Sequence, residues 1–252
     1  MENLLCIKGK IIGKGKPLVC VPVMESSKEE ILRETRRLEE AHTEMIEWRV
    51  DAFENVESPN AIREILNEMK HIIKESILVY TFRSKNQGGC KALSAADIYD
   101  IHQVAAESDV VDFIDVEYFE AKNPQKEIAM LREMGVYVIA SHHDFEQTPD
   151  PEVIRMLLEQ IRESGADVVK LAVMPQNMWD VLHLLEETNR FHENHPDHPL
   201  ITMSMGAKGG ISRVAGEFFG SCVTFGGQAS APGQLPVKQL EEILHILHQS
   251  VD

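Results

Sequence analysis

Residues 165–174 read GADVVKLAVM, a short apolar run with a lysine at its centre. Four aliphatic side chains flank Lys170 closely, and the run offers no acidic neighbour within reach along a strand. An isolated buried ammonium costs several kcal/mol, on the order of the penalty for any unpaired buried ion, so such a lysine usually sheds its proton. We therefore expect a neutral amine here, which is a nucleophile toward carbonyl groups.

Similar runs recur along the chain, with amphipathic stretches between them. The predicted strands are 18–24, 45–51, 77–83, 110–117, 136–143, 167–173, 200–205 and 222–225; the predicted helices are 28–41, 57–74, 94–107, 125–134, 151–163, 176–191, 209–218 and 236–249. Eight strand–helix units in this length predict a single α/β domain over residues 1–252, a (β/α)₈ TIM barrel, preceded by a short β-hairpin near 4–12. A doubly wound open sheet also alternates, but no glycine-rich nucleotide fingerprint follows the first strand.

Side-chain parity favours the barrel. Successive side chains point to opposite faces of a strand, so Glu47 and Arg49 share one face of their strand, and Asp115 and Glu117 share a face of theirs. Arg83 lies on the face opposite Leu78, Tyr80 and Phe82. One such run alone fits an antiparallel strand with a solvated face. Its repetition indicates interior charges that pair with each other or with a ligand, near the carboxyl ends where barrel enzymes carry their chemistry.

Composition limits the possible partners. A net charge of −16 over 252 residues argues against nucleic acid or an anionic membrane surface. Four cysteines stand far apart without the spacing of a metal or disulfide site. No apolar run approaches membrane length and no signal peptide opens the chain, so we expect a soluble, cytoplasmic protein.

A candidate acid–base residue, His143, follows the fifth predicted strand in SHHDF. Imidazole suits proton transfer near neutral pH, although a single histidine is more often structural. Lys170 alone is equally explained by an amine that reaches solvent from a strand end. Neighbouring strands would bring the two to one barrel mouth, a pairing that suits imine chemistry. His142 and His143 would point to opposite faces and cannot bind one ion, so we expect no catalytic metal.

The seventh and eighth units add candidate ligand contacts. Arg213 lies in GGISR, at the predicted start of a helix, where the dipole disfavours arginine unless an anion binds there; a solvated surface arginine is the alternative. The loop GGQASAPGQLP could close as a lid, with Ser230 and Gln234 touching a hydroxylated ligand. Met203 and Met205 share a face and could form an apolar wall.

The motifs of the chain, taken together, resemble a known family. They are EWRVD, TFRS, GG at 88–89, SHHDF, VVKLAVMP, ITMSMG, ISRVAGEFFGS, TFG and SAPGQ, in this order and over nearly the whole chain. They resemble those of type I 3-dehydroquinate dehydratase. The resemblance implies a (β/α)₈ barrel, a homodimer, no metal or cofactor, and dehydration of 3-dehydroquinate to 3-dehydroshikimate in the shikimate pathway of aromatic amino acid biosynthesis.

The resemblance also implies roles for individual residues. Lys170 would form an imine with the C3 ketone, and His143 would remove the C2 proton and protonate the departing hydroxyl. Arg213 would hold the substrate carboxylate. The other contacts to the substrate would come from Glu47, Arg49, Arg83, Ser230 and Gln234.

The chain departs from the family pattern in KNQGG, where many members carry a glutamate before the two glycines. Gln87 can still form a hydrogen bond with the imidazole but brings no charge, so we expect a lower pKa for His143 than beside a carboxylate. Pro22, in the first predicted strand, stands where some members carry a small polar residue, so one possible contact with the substrate is lost. Three alternatives stay open: a class I aldolase that also uses Lys170, a non-catalytic ligand-binding barrel, and a metal hydrolase.

Overall fold

The structure is a computed structural model that describes residues 5–227 and 233–251. Its strands are β1 (Leu5–Ile7), β2 (Lys10–Ile12), β3 (Leu18–Val23), β4 (Met45–Arg49), β5 (Ile77–Thr81), β6 (Phe113–Glu117), β7 (Tyr137–Asp144), β8 (Val168–Val173), β9 (Leu200–Ser204) and β10 (Val223–Phe225). Its α-helices are α1 (Lys28–Glu40), α2 (Pro59–Ile72), α3 (Ala95–Ala106), α4 (Pro124–Glu133), α5 (Pro151–Arg162), α6 (Met178–Asn194), α7 (Gly210–Val214), α8 (Gly216–Phe219) and α9 (Val237–His248). None of the described helices is long and apolar enough to span a membrane.

The main sheet is parallel and nearly closed. Its eight strands run in the order β10-β3-β4-β5-β6-β7-β8-β9. A parallel bridge between Leu200 and Ser221 brings β9 beside the residues that precede β10. The predicted (β/α)₈ barrel is therefore confirmed, as is the antiparallel hairpin formed by β1 and β2.

Helix starts follow local signals in the sequence. The side chains of Ser27 and Ser94 accept hydrogen bonds from backbone N–H groups three residues on, at the starts of α1 and α3. Ser58 does the same at the start of α2. A capping hydroxyl satisfies a donor that has no partner within the helix. These caps fix where α1, α2 and α3 begin.

Two apolar layers lie on opposite faces of the strands, as parity predicted. Trp48, Tyr80 and Leu171 face outward and pack under the helices, and the rings of Trp48 and Tyr80 meet edge to face at 5.5 Å. Val79 and Ala172 point inward into a separate interior cluster. The inner face is thus apolar at the floor of the barrel and becomes polar toward the mouth.

The prediction of one continuous helix at 209–218 is wrong. The chain there forms a 3₁₀ turn at Ala207–Gly209, then α7, then α8. A Cβ at Gly216 would lie 2.5 Å from the carbonyl oxygen of Ser221 and 2.9 Å from the ring of Pro17. The path after α7 therefore depends on a close backbone approach that only glycine allows.

Because the predicted helix is interrupted, the predicted position of Arg213 at a helix start is also wrong. The residue lies in the last turn of the short α7 rather than at the positive end of a longer helix. A cation is favourable near a helix C-terminus. The helix dipole therefore gives no reason to expect an anion beside Arg213.

The hairpin closes the N-terminal end of the barrel. Ile7 and Ile12 are buried in the interior cluster. Lys8 Nζ donates to the carbonyl oxygen of Ser76 at 2.9 Å and to Asp112 Oδ2 at 2.6 Å, just before two of the barrel strands. The barrel therefore has an apolar floor beneath its polar mouth.

Candidate active site

A cavity of about 200 Å³ opens at the carboxyl ends of the strands. Nine of the residues that the sequence singled out line it: Glu47, Arg49, Arg83, Gln87, His143, Lys170, Met203, Met205 and Gln234. Arg213 is buried on α7 but does not belong to this lining. Ser230 lies outside the described residues. The structure thus gathers residues from six different strands and their following turns at one mouth.

Lys170 lies on β8 with a side chain that is only 3% exposed. Its Nζ is 2.9 Å from Asp115 Oδ2 and 3.6 Å from Glu47 Oε1, and it lies 4.8 Å from the centre of the Phe225 ring. The strand itself offers no acidic neighbour, as the sequence indicated, but the assembled barrel supplies one, so the amine is not isolated. Its partner comes from β6, 55 residues earlier, and the pair removes the cost of an isolated buried charge.

Asp115 connects the amine to a guanidinium. Its Oδ2 also accepts from Arg83 Nη2 at 3.0 Å, and its Oδ1 accepts from Ser141 Oγ at 2.5 Å. Burial alone raises the pKa of Asp115, but the charges of Arg83 and Lys170 outweigh that effect and hold the pKa far below its usual range. Asp115 therefore stays ionised between the guanidinium of Arg83 and the amine of Lys170.

Arg83 is anchored on its other side as well. Its Nη1 donates to Glu117 Oε1 at 2.8 Å and to Ser141 Oγ at 3.1 Å. Burial lowers the pKa of Arg83, yet Asp115 and Glu117 raise it by more, so the guanidinium stays charged. The side chain lines the cavity in a fixed orientation.

Arg49 is held in a fork-shaped contact. Its Nε and Nη2 donate to the two carboxylate oxygens of Asp51 at 2.8 and 2.9 Å. Asp51 also accepts from the backbone N–H groups of Arg83 and Cys90. Two parallel bonds to one carboxylate set the plane of a guanidinium, so Arg49 faces the cavity with little freedom.

His143 lies near the end of β7, and its imidazole is neutral. Burial lowers its pKa well below the ordinary histidine value, and the charges of Arg83 and Lys170 lower it further, while Asp115 opposes them. Phe145 lies roughly parallel to the ring, with centroids 6.5 Å apart. A neutral imidazole can accept a proton, as a general base must.

Gln87 contacts His143 twice through one oxygen. Gln87 Oε1 accepts from the backbone N–H of His143 at 2.9 Å and lies 3.2 Å from His143 Nδ1. Gln87 ends a 3₁₀ turn, Lys85–Gln87, that Gly88 terminates with a positive φ of 83°. A Cβ at Gly89 would lie 1.8 Å from the carbonyl oxygen of Arg83, so both glycines are needed to place Gln87 beside the imidazole.

Some residues of this network were not assigned a role from sequence. Asp115 and Glu117 gave a signal, because two acidic residues share the inward face of one strand. Ser141 gave none, since a serine within a buried strand is unremarkable. Phe225 and Phe145 also line the cavity, and this role could be assigned to them only from the structure. Within residues 5–227 and 233–251, no three His, Cys, Asp or Glu side chains are arranged to hold a metal ion.

The fold and the site are those of a barrel enzyme. Its cavity presents an amine, an imidazole and several oriented charged side chains to a small polar ligand. The model of the type I 3-dehydroquinase family matches residues 19–251. The chain belongs to that family.

Individual relatives match along their whole length. The 3-dehydroquinate dehydratase of Clostridioides difficile strain 630 is 42% identical over 255 residues, which is 100% of both chains. That of Bacillus subtilis strain 168 is 37% identical and covers 98% of each chain. Among solved structures, a type I 3-dehydroquinate dehydratase from Clostridium difficile with covalently modified comenic acid superposes with a TM-score of 0.95, at 42% identity over 100% of both chains.

Proposed function

We propose that this chain converts 3-dehydroquinate to 3-dehydroshikimate, a step of the shikimate pathway, through an imine on Lys170 with His143 as the general acid and base. The observation that carries the proposal is the position of the Lys170 amine: it is buried, oriented by Asp115, and lines the same cavity as a neutral imidazole. The family to which the chain belongs supports the same reaction.

The first half of the reaction forms the imine. The nitrogen of Lys170 attacks the C3 ketone, two of the ammonium hydrogens pass to the ketone oxygen, which leaves as water, and the third stays on the iminium nitrogen. Burial strengthens the electrostatic effect of the nearby carboxylates on the positive iminium that results. Asp115 and Glu47, at 2.9 and 3.6 Å from Nζ, are placed to stabilise that charge.

The second half is a proton transfer at one imidazole. The iminium withdraws electrons from C2 and acidifies its proton, which His143 removes as a general base. The same histidine, now protonated, donates to the hydroxyl that leaves from C1 as water. Hydrolysis of the iminium then releases the product and restores the Lys170 amine.

The remaining residues bind the substrate. Carboxylates fix Arg49 and Arg83 in place, and Glu47 accepts a hydrogen bond from Thr81 Oγ1 at 2.9 Å. These three side chains bind the ring hydroxyls of the substrate. Gln234 contributes from the rim. Ser230 and Arg213 are assigned by motif to the hydroxyls and the carboxylate, and Met203 and Met205 form an apolar wall of the cavity.

The test combines turnover with trapping. Purified protein is mixed with 3-dehydroquinate, and the enone absorbance of the product is followed; borohydride is then added and the modified lysine is located by mass spectrometry. We expect enone formation and an adduct on Lys170 that Lys170→Ala lacks and Lys208→Ala retains. An adduct on another lysine would assign the chemistry elsewhere, and an adduct without enone would indicate an aldolase instead. Three further expectations stay predictions: a homodimer, a cytoplasmic location and a single domain over 1–252. Light scattering would test the homodimer.

A further inference from the structure

His102 and Glu127 form a buried polar pair outside the active site, where α3 packs against α4. The two residues are 1% and 8% exposed, and His102 Nδ1 lies 2.8 Å from Glu127 Oε1. A carboxylate oxygen only accepts, so the hydrogen of this contact belongs to Nδ1. A neutral imidazole carries one hydrogen on nitrogen, and His102 Nε2 therefore presents a lone pair.

The lone pair of His102 Nε2 needs a donor. Nε2 is buried and has no hydrogen-bond partner among the described residues. The ring of Tyr80 meets the ring of His102 edge to face, with centroids 6.2 Å apart, which limits rotation of the imidazole toward another partner. A buried acceptor without a donor loses its hydration on folding and gains nothing in return. Ordered water commonly satisfies such groups.

A cavity beside this pair has room for one water molecule. Its volume is about 10 Å³, close to the roughly 10–15 Å³ that the centre of a water molecule requires. Glu117, Glu120 and Glu127 line the cavity together with His102. A buried water makes about two to four hydrogen bonds, and these side chains can accept them.

Of these carboxylates, Glu117 connects the cavity to the active site. Its Oε1 accepts from Arg83 Nη1 at 2.8 Å and from the backbone N–H of Ser84 at 3.0 Å. No donor from the described residues reaches its Oε2, and Glu117 is only 6% exposed. Glu120 is half-buried, so Glu117 is the carboxylate that gains more from a buried donor.

We propose that one water molecule occupies this cavity and donates one hydrogen to His102 Nε2 and the other to Glu117 Oε2. His102 is then a positioning residue: through the water, it holds the carboxylate that orients Arg83. The contact reaches the active site from the helical layer outside the barrel. It adds no charge to the ionic cluster inside.

Two measurements without substrate test the water site. A high-resolution crystal structure of the full chain should show one water oxygen within about 2.7–3.2 Å of both His102 Nε2 and Glu117 Oε2. Hydrogen exchange of the Ser84 amide, which donates to Glu117, reports how firmly that carboxylate is held. His102→Asn keeps a donor near the position of Nδ1 but has no atom in place of Nε2. It should speed Ser84 exchange by roughly 2–10-fold, the effect of one ordinary hydrogen bond.

Glu127→Gln is the control variant. Its amide oxygen still accepts from His102 Nδ1, so the water and the exchange of Ser84 should stay as in the wild type. The amide of Leu78, which donates to Asp112 at 2.7 Å, should exchange at the same rate in all three proteins. Three results would overturn the proposal: no water shared by the two atoms, unchanged Ser84 exchange in His102→Asn, or equal acceleration in both variants. Acceleration of Leu78 together with Ser84 would indicate general loosening and also counts against it.

The kinetic part rests on the proposed function, in which Arg83 binds ring hydroxyls. His102→Asn should raise KM by roughly 2–10-fold with little change in kcat, because Lys170 and His143 keep their own partners. Glu127→Gln should preserve both constants. A lower kcat at unchanged KM in His102→Asn contradicts the positioning role. A wild type that forms no enone removes the proposed function, whereas the water and exchange results are decided independently of it.

Discussion

Asp115 Oδ2 lies 2.9 Å from Lys170 Nζ and accepts a second bond from Arg83 at 3.0 Å. One carboxylate oxygen therefore serves the candidate nucleophile and a guanidinium of the cavity wall together. All three side chains are at most 4% exposed. The site is thus organised by a buried ionic cluster whose members cannot be changed independently.

Removal of the central charge should destabilise the fold. In Asp115→Asn, the buried side chains of Arg83 and Lys170 lose their shared anion, and breaking a buried pair from one side costs roughly 3–5 kcal/mol. Urea unfolding at neutral pH measures the loss. Asp109→Asn, which breaks the exposed pair between Asp109 and Lys70, is the matched control and should unfold as the wild type does. Equal midpoints for the two variants would show that the cluster contributes nothing to stability.

Removal of the imidazole should separate binding from turnover. His143→Ala should lower kcat by the ~10²–10⁴-fold typical of lost general acid–base catalysis, while substrate binding persists. His142→Ala is the control, because His142 lies beside Phe119 and does not line the cavity. Stopped-flow absorbance and calorimetry provide the two constants. If His142→Ala were the slower variant, the assignment of the base would be reversed.

The glycine pair that carries Gln87 should be intolerant of a methyl group. Gly89→Ala would put Cβ 1.8 Å from a backbone oxygen, and forced overpacking costs typically about 1–3 kcal/mol. Thermal unfolding and kcat should both fall, because the turn that holds Gln87 must shift. Gly210→Ala has open space around its Cβ and should be tolerated. A Gly89→Ala protein as stable and active as Gly210→Ala contradicts the predicted strain.

Acid should weaken the fold through His198. Burial, together with the charges of Arg162 and His195 and against that of Glu159, lowers the pKa of His198 to about 4. An unfolded histidine titrates near about 6.5, so between these values the unfolded chain binds a proton that the folded chain does not. Stability contributed by the neutral ring is therefore present above about pH 6.5 and is lost as the pH falls toward 4.

His198→Gln should flatten this part of the stability curve. Urea midpoints measured from neutral pH down to about pH 4.5 would show it as a smaller decline than in the wild type. His71→Gln, at an exposed histidine, should reproduce the wild-type slope. Parallel curves for all three proteins would exclude His198 as the source of the decline.

Sequence reasoning captured what depends on local order. Alternation along each strand placed Glu47 and Arg83 on the inner face and Trp48 on the outer one, because a strand has a period of two regardless of its neighbours. Periodicity likewise gave the order of strands and helices. It could not show that Asp115 reaches Lys170, because that contact crosses an intervening strand and depends on how the barrel curves.

The same limit explains the errors at the seventh unit. An apolar and charged pattern at 209–218 suits one continuous helix, and the contact that interrupts it is made with Ser221 and Pro17, which lie elsewhere in the chain. The position of Arg213 in its helix changed with that interruption. The double contact of Gln87 depends on a turn and a strand end 56 residues apart, so its consequences for the imidazole emerge only from coordinates.

The hairpin beneath the barrel affects how ligands enter and leave the site. Ile7 and Ile12 pack into the floor, and Lys8 ties the hairpin to the residues just before β5 and β6, so among the described residues the hairpin covers the end of the barrel opposite the cavity. Reactant and product then share the open end of the barrel, where the candidate site lies. Product therefore leaves from the same site that the next substrate must enter, and accumulated product should act as a competitive inhibitor.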